Sequence, residues 1–144
     1  MNEQTTPAVD HSAVAESINA SINYTMYAVF REQRDSASPG EAAAAAVTER
    51  LAGIDGLTVR GWYDVSGFRA DADALVWLHA PTTEALQQGY RAVLEGACGR
   101  LAPVWSNVGV HRTAEFNRGH VPAFLAGDAP KRYVCVYPFV RSYD

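Results

Sequence analysis

The chain has 144 residues, of which 48% are hydrophobic and 19% are charged, and its formal net charge at pH 7 is -4. This length suffices for one domain with a core of its own, or for one domain plus part of another. The acidic balance excludes nucleic acid as the expected main partner, because phosphate binding needs a basic surface.

Localisation signals are absent from the sequence pattern. No apolar run approaches the roughly 18–20 residues that span a bilayer, and the polar N-terminus lacks the basic start and apolar centre of a signal peptide. The two cysteines, Cys98 and Cys135, match no metal-binding spacing. Together these observations predict a cytoplasmic protein with reduced thiols.

The first half of the chain predicts a tail, a strand and a helix. Residues 1–22 read as a flexible tail that enters a short helix near residues 12–20. Apolar residues at alternate positions from Tyr24 onward predict a strand that is buried on most of both faces. Ser38, Pro39 and Glu41 then combine a cap, a first-turn proline and a capping-box glutamate, which predicts a helix that ends near residue 52.

The second half predicts two strands, a helix and a further strand. Residues 57–67 have high β propensity, with Val59 and Tyr63 expected on one face and Trp62 on the other, and residues 74–80 read as a central strand. The next helix is expected to begin at Thr82, to carry its apolar stripe as far as residue 101 and to stop at residue 103. Residues 104–116 are predicted to form the fourth strand.

This order predicts an α+β fold of the ferredoxin-like βαββαβ type over residues 23–116, with both helices on one face of an antiparallel sheet. The aromatic residues exceed what two helices can cover, so we expect a partner sheet over the other face. Residues 117–144 read as a linker followed by the opening strand, residues 132–140, of a second such domain.

Candidate functional residues are few. No nucleophile triad, phosphate-binding loop or zinc motif is present, and the four histidines form no i,i+4 pair. His79 and His111 lie inside predicted strands, which is typical of core or interface positions. His120 lies in a loop beside Gly119, where a histidine is either simply exposed or functional.

An aromatic stripe occurs near the C-terminal end of the sequence. Alternation places Tyr133, Tyr137, Phe139 and Arg141 on one side of the predicted strand. Such a stripe is typical of a sheet core. An arginine at its end also suits a planar, apolar ligand with carboxylates, of which a porphyrin with propionates is one example.

Three segments carry a family resemblance. Residues 61–93 (GWYDVSGFRADADALVWLHAPTTEALQQGYRAV), residues 105–112 (WSNVGVHR) and above all residues 132–144 (RYVCVYPFVRSYD) resemble the coproheme decarboxylase family. The resemblance is to its actinobacterial branch, within the chlorite dismutase-like superfamily, and covers about residues 24–144. It implies two consecutive ferredoxin-like domains per subunit, in a dimeric α+β barrel arrangement, with haem bound in the second domain, and assembly into homopentamers.

The resemblance also implies an oxidoreductase of haem biosynthesis. Such an enzyme uses hydrogen peroxide to convert two propionates of iron-coproporphyrin III (coproheme III) to vinyl groups, which yields haem b and two molecules of carbon dioxide. The iron porphyrin is both substrate and redox centre. A transient contact with the ferrochelatase that supplies coproheme is implied as well.

Site residues follow from the resemblance position by position. Tyr137 matches the tyrosine that forms the radical, and His120 matches the distal histidine that accepts a proton from peroxide. Arg141 matches a basic residue near a reacting propionate, and Phe139 would line the pocket. No metal ligand is assigned, because the proximal histidine of the family is expected beyond Asp144, in a part of the haem-binding domain that this chain lacks.

Two alternatives stay open at this point. Without the proximal ligand region, the chain could be a non-catalytic oligomerisation or porphyrin-binding module. Chlorite decomposition ranks lower, because that chemistry in the superfamily uses a distal arginine where this match offers His120.

Overall fold

The structure, a computed structural model, describes residues 11–35, 40–114 and 119–140. Its elements in chain order are α1 (His11–Asn19), β1 (Tyr24–Glu32), α2 (Gly40–Ala52), β2 (Thr58–Asp64), β3 (Ala74–Ala80), α3 (Thr83–Gly96) and β4 (Leu101–Val110). The strands form one antiparallel sheet in the order β2-β3-β1-β4. The predicted ferredoxin-like α+β fold is thus confirmed. None of the helices in the described part of the chain is long and apolar enough to cross a membrane.

One face of the sheet packs against α2 and α3. The buried residues of this helix-side core are Met26, Ala28, Phe30, Val47, Leu51, Val76, Leu78, Ala80, Ala85, Leu86, Ala92, Val93 and Ala97. Helical spacing places Val47 and Leu51 of α2 in this core, as the sequence predicts. Small residues at the contact let the two helices approach closely, and Gly96 of α3 lies directly against the backbone of Val47.

The third helix ends earlier than expected. Its start is as predicted, since the side chain of Thr82 accepts a hydrogen bond from the Ala85 backbone N–H at 3.2 Å. Its end lies at Gly96, because Cys98 and Gly99 adopt positive φ angles of 48° and 82°, which no helix continues through. The apolar stripe was wrongly extended to residue 101, which instead begins β4.

The last strand is accordingly displaced from its predicted bounds of 104–116. β4 starts at Leu101, and Pro103 lies within it, at a register shift opposite Val29 and Phe30. An edge strand tolerates proline at such an irregularity, because the missing N–H faces no partner. The strand ends at Val110, and part of the predicted remainder, residues 115–118, lies outside the described residues.

A bulge in β2 changes which residues share a face. The register with β3 shifts between Val59 and Gly61, so that Arg60 is the extra residue. Val59 and Tyr63, expected on one face, therefore lie on opposite faces. Trp62 lies on the helix side, where it is 43% exposed.

The N-terminal helix is packed against its surroundings. α1 confirms the predicted short helix, and its Ala15 and Ile18 are only 5% and 9% exposed. This burial disagrees with a flexible tail across the whole of residues 1–22, of which residues 1–10 lie outside the described part.

The predicted strand at residues 132–140 is wrong as secondary structure in this chain. In the described residues no strand follows β4, and this segment pairs with none of β1–β4. A strand needs a neighbouring edge for its N–H and C=O groups, and both edges of the sheet, β2 and β4, are left without it. That residues 117–144 open a second domain stays a prediction.

The approach of α2 to α3 generates a stability prediction. Replacing Gly96 by alanine should lower the free energy of unfolding by about 1–3 kcal/mol, because the added Cβ would lie 2.8 Å from backbone atoms of Val47. Gly89→Ala is the matched control in the same helix, since its Cβ would meet the movable side-chain ends of Leu57 and Leu78. Urea unfolding measures both, and an equal or larger loss in the control would contradict this packing.

Candidate functional site

The face of the sheet away from α2 and α3, here the open sheet face, carries a cluster of aromatic and polar side chains. The indole Nε1 of Trp77 donates a hydrogen bond to Thr25 Oγ1 at 2.7 Å. The ring of Tyr27 lies 5.2 Å from that of Trp77, centroid to centroid, and the Arg60 guanidinium lies 5.7 Å from the Trp77 ring centroid. This distance is within reach of a cation–π interaction.

Burial favours the uncharged forms of His79 and Tyr27 on this face. The pKa of the half-buried His79 is lowered, first by burial and then by the positive charge of Arg60. The pKa of Tyr27 is raised, chiefly by burial, although its hydrogen bond with Thr25 acts in the opposite direction. Near neutral pH the face therefore holds a neutral imidazole, a neutral phenol and the Arg60 cation.

Residues 119–140, here called the C-terminal segment, lie across this face. The segment begins with a compact turn at residues 122–128. The backbone N–H groups of Leu125 and Ala126 both donate to Pro122 O, at 3.0 and 3.1 Å, and Asp128 N–H donates to Ala123 O at 3.0 Å. These bonds close the turn on itself. Its shape is consequently set locally rather than by pairing with the sheet.

One aromatic side chain of that turn is inserted into the cluster. The Phe124 ring lies 5.5 Å from the Trp77 ring, edge to face, and 5.0 Å from the imidazole of His79. Further along, the Tyr63 hydroxyl donates to Lys131 O at 3.5 Å. The segment is thus held at two places, by a ring contact on β3 and by a long hydrogen bond from β2.

Alternate side chains of the segment then turn toward and away from the sheet. Val134 and Val136 pack against the cluster that contains Val29, Ala72 and Leu75. The odd-numbered positions from 133 to 139 are turned away from the sheet, and we call them the outward row. Its members are Tyr133, Cys135, Tyr137 and Phe139, all exposed.

The sequence-predicted site residues are partly brought together. Tyr137 and Phe139 are 72% and 79% exposed, and their rings stack at 6.3 Å with an interplanar angle of 28°. His120 is exposed at the start of the C-terminal segment, and no hydrogen bond or ring contact joins it to Tyr137 within the described residues. Arg141 lies outside those residues.

Two residues of this arrangement were missed by sequence reasoning. Phe124 lies in a stretch between Pro122 and Gly127 that reads as loop, and only its isolated aromatic character signals a buried contact. For Thr25 the sequence predicted only a position on the strand that alternates with its apolar neighbours. Its role as acceptor for Trp77 depends on the pairing of β1 with β3, which a single strand pattern does not contain.

A cavity on the other side of the sheet holds none of the predicted site residues. It has a volume of about 570 Å³ and is lined by α2, by Trp62 and by the ion pair of Arg100 with Glu32, among others. Because His120, Tyr137 and Phe139 are absent from its lining, we place the candidate site on the outward row rather than in this cavity.

The residues of the outward row fit one wall of the porphyrin site that the family resemblance implies. Two stacked, exposed aromatic rings offer the flat apolar surface that a macrocycle needs. The row holds no histidine, and no group of three His, Cys, Asp or Glu side chains in residues 11–35, 40–114 and 119–140 could hold a metal ion. The outward row could thus form one wall of such a site, and no iron ligand is among its residues.

A family model and a related protein of known activity both match this chain. The family model described as chlorite dismutase matches residues 40–144. The coproheme decarboxylase of Mycolicibacterium smegmatis is 47% identical over 139 residues, which cover 90% of this chain and 58% of that protein. This chain therefore spans less than two thirds of the length of that relative.

Solved structures show the same fold. Chlorite dismutase from Candidatus Nitrospira defluvii in complex with imidazole matches with a TM-score of 0.53 and 25% identity, over 65% of this chain and 42% of that one. A variant of the same enzyme in complex with cyanide matches with a TM-score of 0.54 and 25% identity, over 67% and 43% of the two chains.

The hydrogen bond between Trp77 and Thr25 generates a prediction for the open sheet face. Thr25→Val keeps the side-chain shape but removes the acceptor, which should lower the free energy of unfolding by about 1–3 kcal/mol. Thr113→Val is the control, because its exposed hydroxyl makes only a 3.5 Å bond to Asn19 O. Chemical denaturation followed by tryptophan fluorescence measures both, and equal stability of the two variants would contradict a structural role for this bond.

Proposed function

Because this chain belongs to the chlorite dismutase family, we propose that it acts in haem biosynthesis as a coproheme decarboxylase that uses hydrogen peroxide. The proposal rests on the 47% identity to the curated coproheme decarboxylase. The observation that carries it structurally is the outward row, which presents Tyr137 and Phe139 as a stacked, exposed aromatic pair. The substrate is iron-coproporphyrin III, and the product is haem b.

The proposed reaction balances with one peroxide for each propionate. The propionic acid side chain loses carbon dioxide, two protons and two electrons, and becomes a vinyl group. Hydrogen peroxide takes up those two electrons and two protons and yields two molecules of water. When bound, the iron porphyrin supplies the redox centre through which the electrons pass.

Tyr137 has the role of one-electron oxidant of the substrate side chain. Its phenol would become a tyrosyl radical. This radical would abstract a hydrogen atom from the propionate carbon that is attached to the porphyrin, which restores the phenol. Reaction requires the phenolic oxygen to approach that carbon closely. Its position on the outward side of the segment, opposite the partly buried Val136, leaves the phenol free to meet a substrate.

His120 and Arg141 have polar roles. His120 would accept a proton from peroxide, a task that suits imidazole because its ordinary pKa lies near neutrality. Arg141 would pair with a propionate carboxylate, and Phe139 would pack against the macrocycle. The iron ligand would come from beyond Asp144.

The assembly and cellular setting are proposed on family grounds as well. We propose a homopentamer located in the cytoplasm, with a transient contact to the ferrochelatase that supplies coproheme. Since this chain spans 58% of the length of its curated relative, a porphyrin-binding module without catalysis is the second candidate function. The exposed outward row supports either one.

Substitution of Tyr137 tests the proposed chemistry. The chain would be extended past Asp144 with the matching C-terminal part of the Mycolicibacterium smegmatis relative, loaded with iron-coproporphyrin III and treated with peroxide. Tyr137→Phe should leave binding within about threefold and reduce vinyl formation by more than about a hundredfold, since phenylalanine has no oxidisable hydroxyl. Mass analysis of the porphyrin products and the Soret band report the two quantities.

Tyr133→Phe is the matched control, because it removes the same hydroxyl from the same outward row. Vinyl formation at the parent rate in Tyr137→Phe would contradict the radical role. Tight binding without any product in the parent protein would favour the binding module.

A further inference from the structure

The first part of the chain after His120 contacts the sheet through the inserted ring of Phe124, whereas the part before Tyr137 contacts it through the Tyr63–Lys131 bond and through Val134 and Val136. Phe124 follows His120 by four positions and precedes Tyr137 by thirteen. Its ring contacts Trp77 and His79, neighbours on the same face of β3. The orientation of the His120 end of the segment thus depends on whether this ring stays docked.

The turn that carries Phe124 transmits this docking to the chain on either side. Its backbone bonds from Leu125, Ala126 and Asp128 to Pro122 and Ala123 make residues 122–128 one compact unit. Such a unit moves as a body, because its internal bonds need no contact with the sheet. Removal of the ring from the open sheet face would therefore release the whole turn.

One of the two residues that the Phe124 ring contacts is titratable. His79 is half-buried under Phe124, and burial followed by the charge of Arg60 lowers its pKa from 6.5. Of the other titratable groups on this face, β2 presents Arg60 and Tyr63, and β1 presents Tyr27 and, at its far end, the exposed Arg31. Arg60 is the cation beside His79, and a protonated His79 would be a second cation next to it in a half-buried position.

The C-terminal segment offers no buried counter-charge for that cation. Asp128 and Lys131, its charged residues next to the turn, are both exposed. Protonation of His79 would hence create an unpaired imidazolium in a half-desolvated position under the Phe124 ring. Because water stabilises the charged imidazole, protonation shifts the docking equilibrium toward the undocked ring.

We propose that Phe124 is a positioning residue for His120, and that its docking on Trp77 and His79 is released when His79 is protonated. The role of His120 rests on the proposed function, whereas the docking does not. The sign follows from linkage: docking favours the neutral imidazole, so it is complete above the ordinary pKa of His79 and weakens as pH falls through the lowered value. An active site built on this segment would lose its geometry in mild acid.

Linkage supplies a direct test in the chain as it exists, without porphyrin or peroxide. The midpoint of His79 is measured by NMR titration of its imidazole protons in the parent and in Phe124→Ala. We expect an upward shift in the variant, because removal of the ring exposes His79 to water. Phe68→Ala is the matched control, since that ring is 85% exposed on the turn between β2 and β3, and the midpoint should stay unchanged.

The response of the turn is the second measurement. In the parent, the amide signals of Leu125, Ala126 and Asp128 should shift with the midpoint of His79. In His79→Phe, which keeps a ring under Phe124 but cannot be charged, that transition should vanish, whereas it should persist in His111→Gln. An unchanged His79 midpoint in Phe124→Ala, or the same amide transition in His79→Phe, would overturn the inference and leave the proposed function untouched.

Discussion

The structure depends on how the open sheet face is covered. β1 and β3 place Val29, Leu75 and Trp77 on the side that α2 and α3 do not reach, and apolar surface of this size is costly in water. Residues 119–140 supply part of the cover with Val134 and Val136. With these valines turned inward, their neighbours Tyr133 and Tyr137 are exposed on the other side, and Phe139 stacks on Tyr137. The exposed aromatic row is therefore a consequence of burial on the other side of the same segment.

The same packing explains why the polar groups of the face are neutral. His79 and Tyr27 have pKa values displaced in the direction that disfavours charge, in both cases chiefly through burial. Arg60 tolerates the position because its guanidinium lies over the Trp77 ring. The face therefore accepts the aromatic ring of Phe124, and it disfavours a second cation at His79 beside Arg60.

Much of the fold was predictable because several local signals agreed. The apolar run at residues 74–80 gave β3 with its correct bounds, and the cap at Thr82 gave the start of α3. The bulge at Arg60 was not predictable, because register depends on pairing between strands that are distant in sequence. Likewise, the sequence around Pro103 predicts the end of a helix, because only the sheet order shows that Pro103 lies in an edge strand.

The candidate site was predicted in part for a similar reason. Alternation alone placed Tyr133, Tyr137, Phe139 and Arg141 on one side. In the structure the first three are exposed and the rings of Tyr137 and Phe139 stack, whereas Arg141 lies outside the described residues. The direction in which that side points required the inward packing of Val134 and Val136. Family resemblance supplied the roles of Tyr137 and His120, which geometry does not assign, and Phe124 was missed because a loop sequence gives no sign of what it covers.

The most direct test of the central claim is paramagnetic line broadening during titration of the chain with iron-coproporphyrin III. If the outward row is a wall of the porphyrin site, the side-chain signals of Tyr137 and Phe139 should broaden at the lowest additions. Those of Val134 and Val136, which are turned toward the sheet, should broaden later. Broadening that begins at the cavity beside Trp62, or equally at all four side chains, would contradict the account.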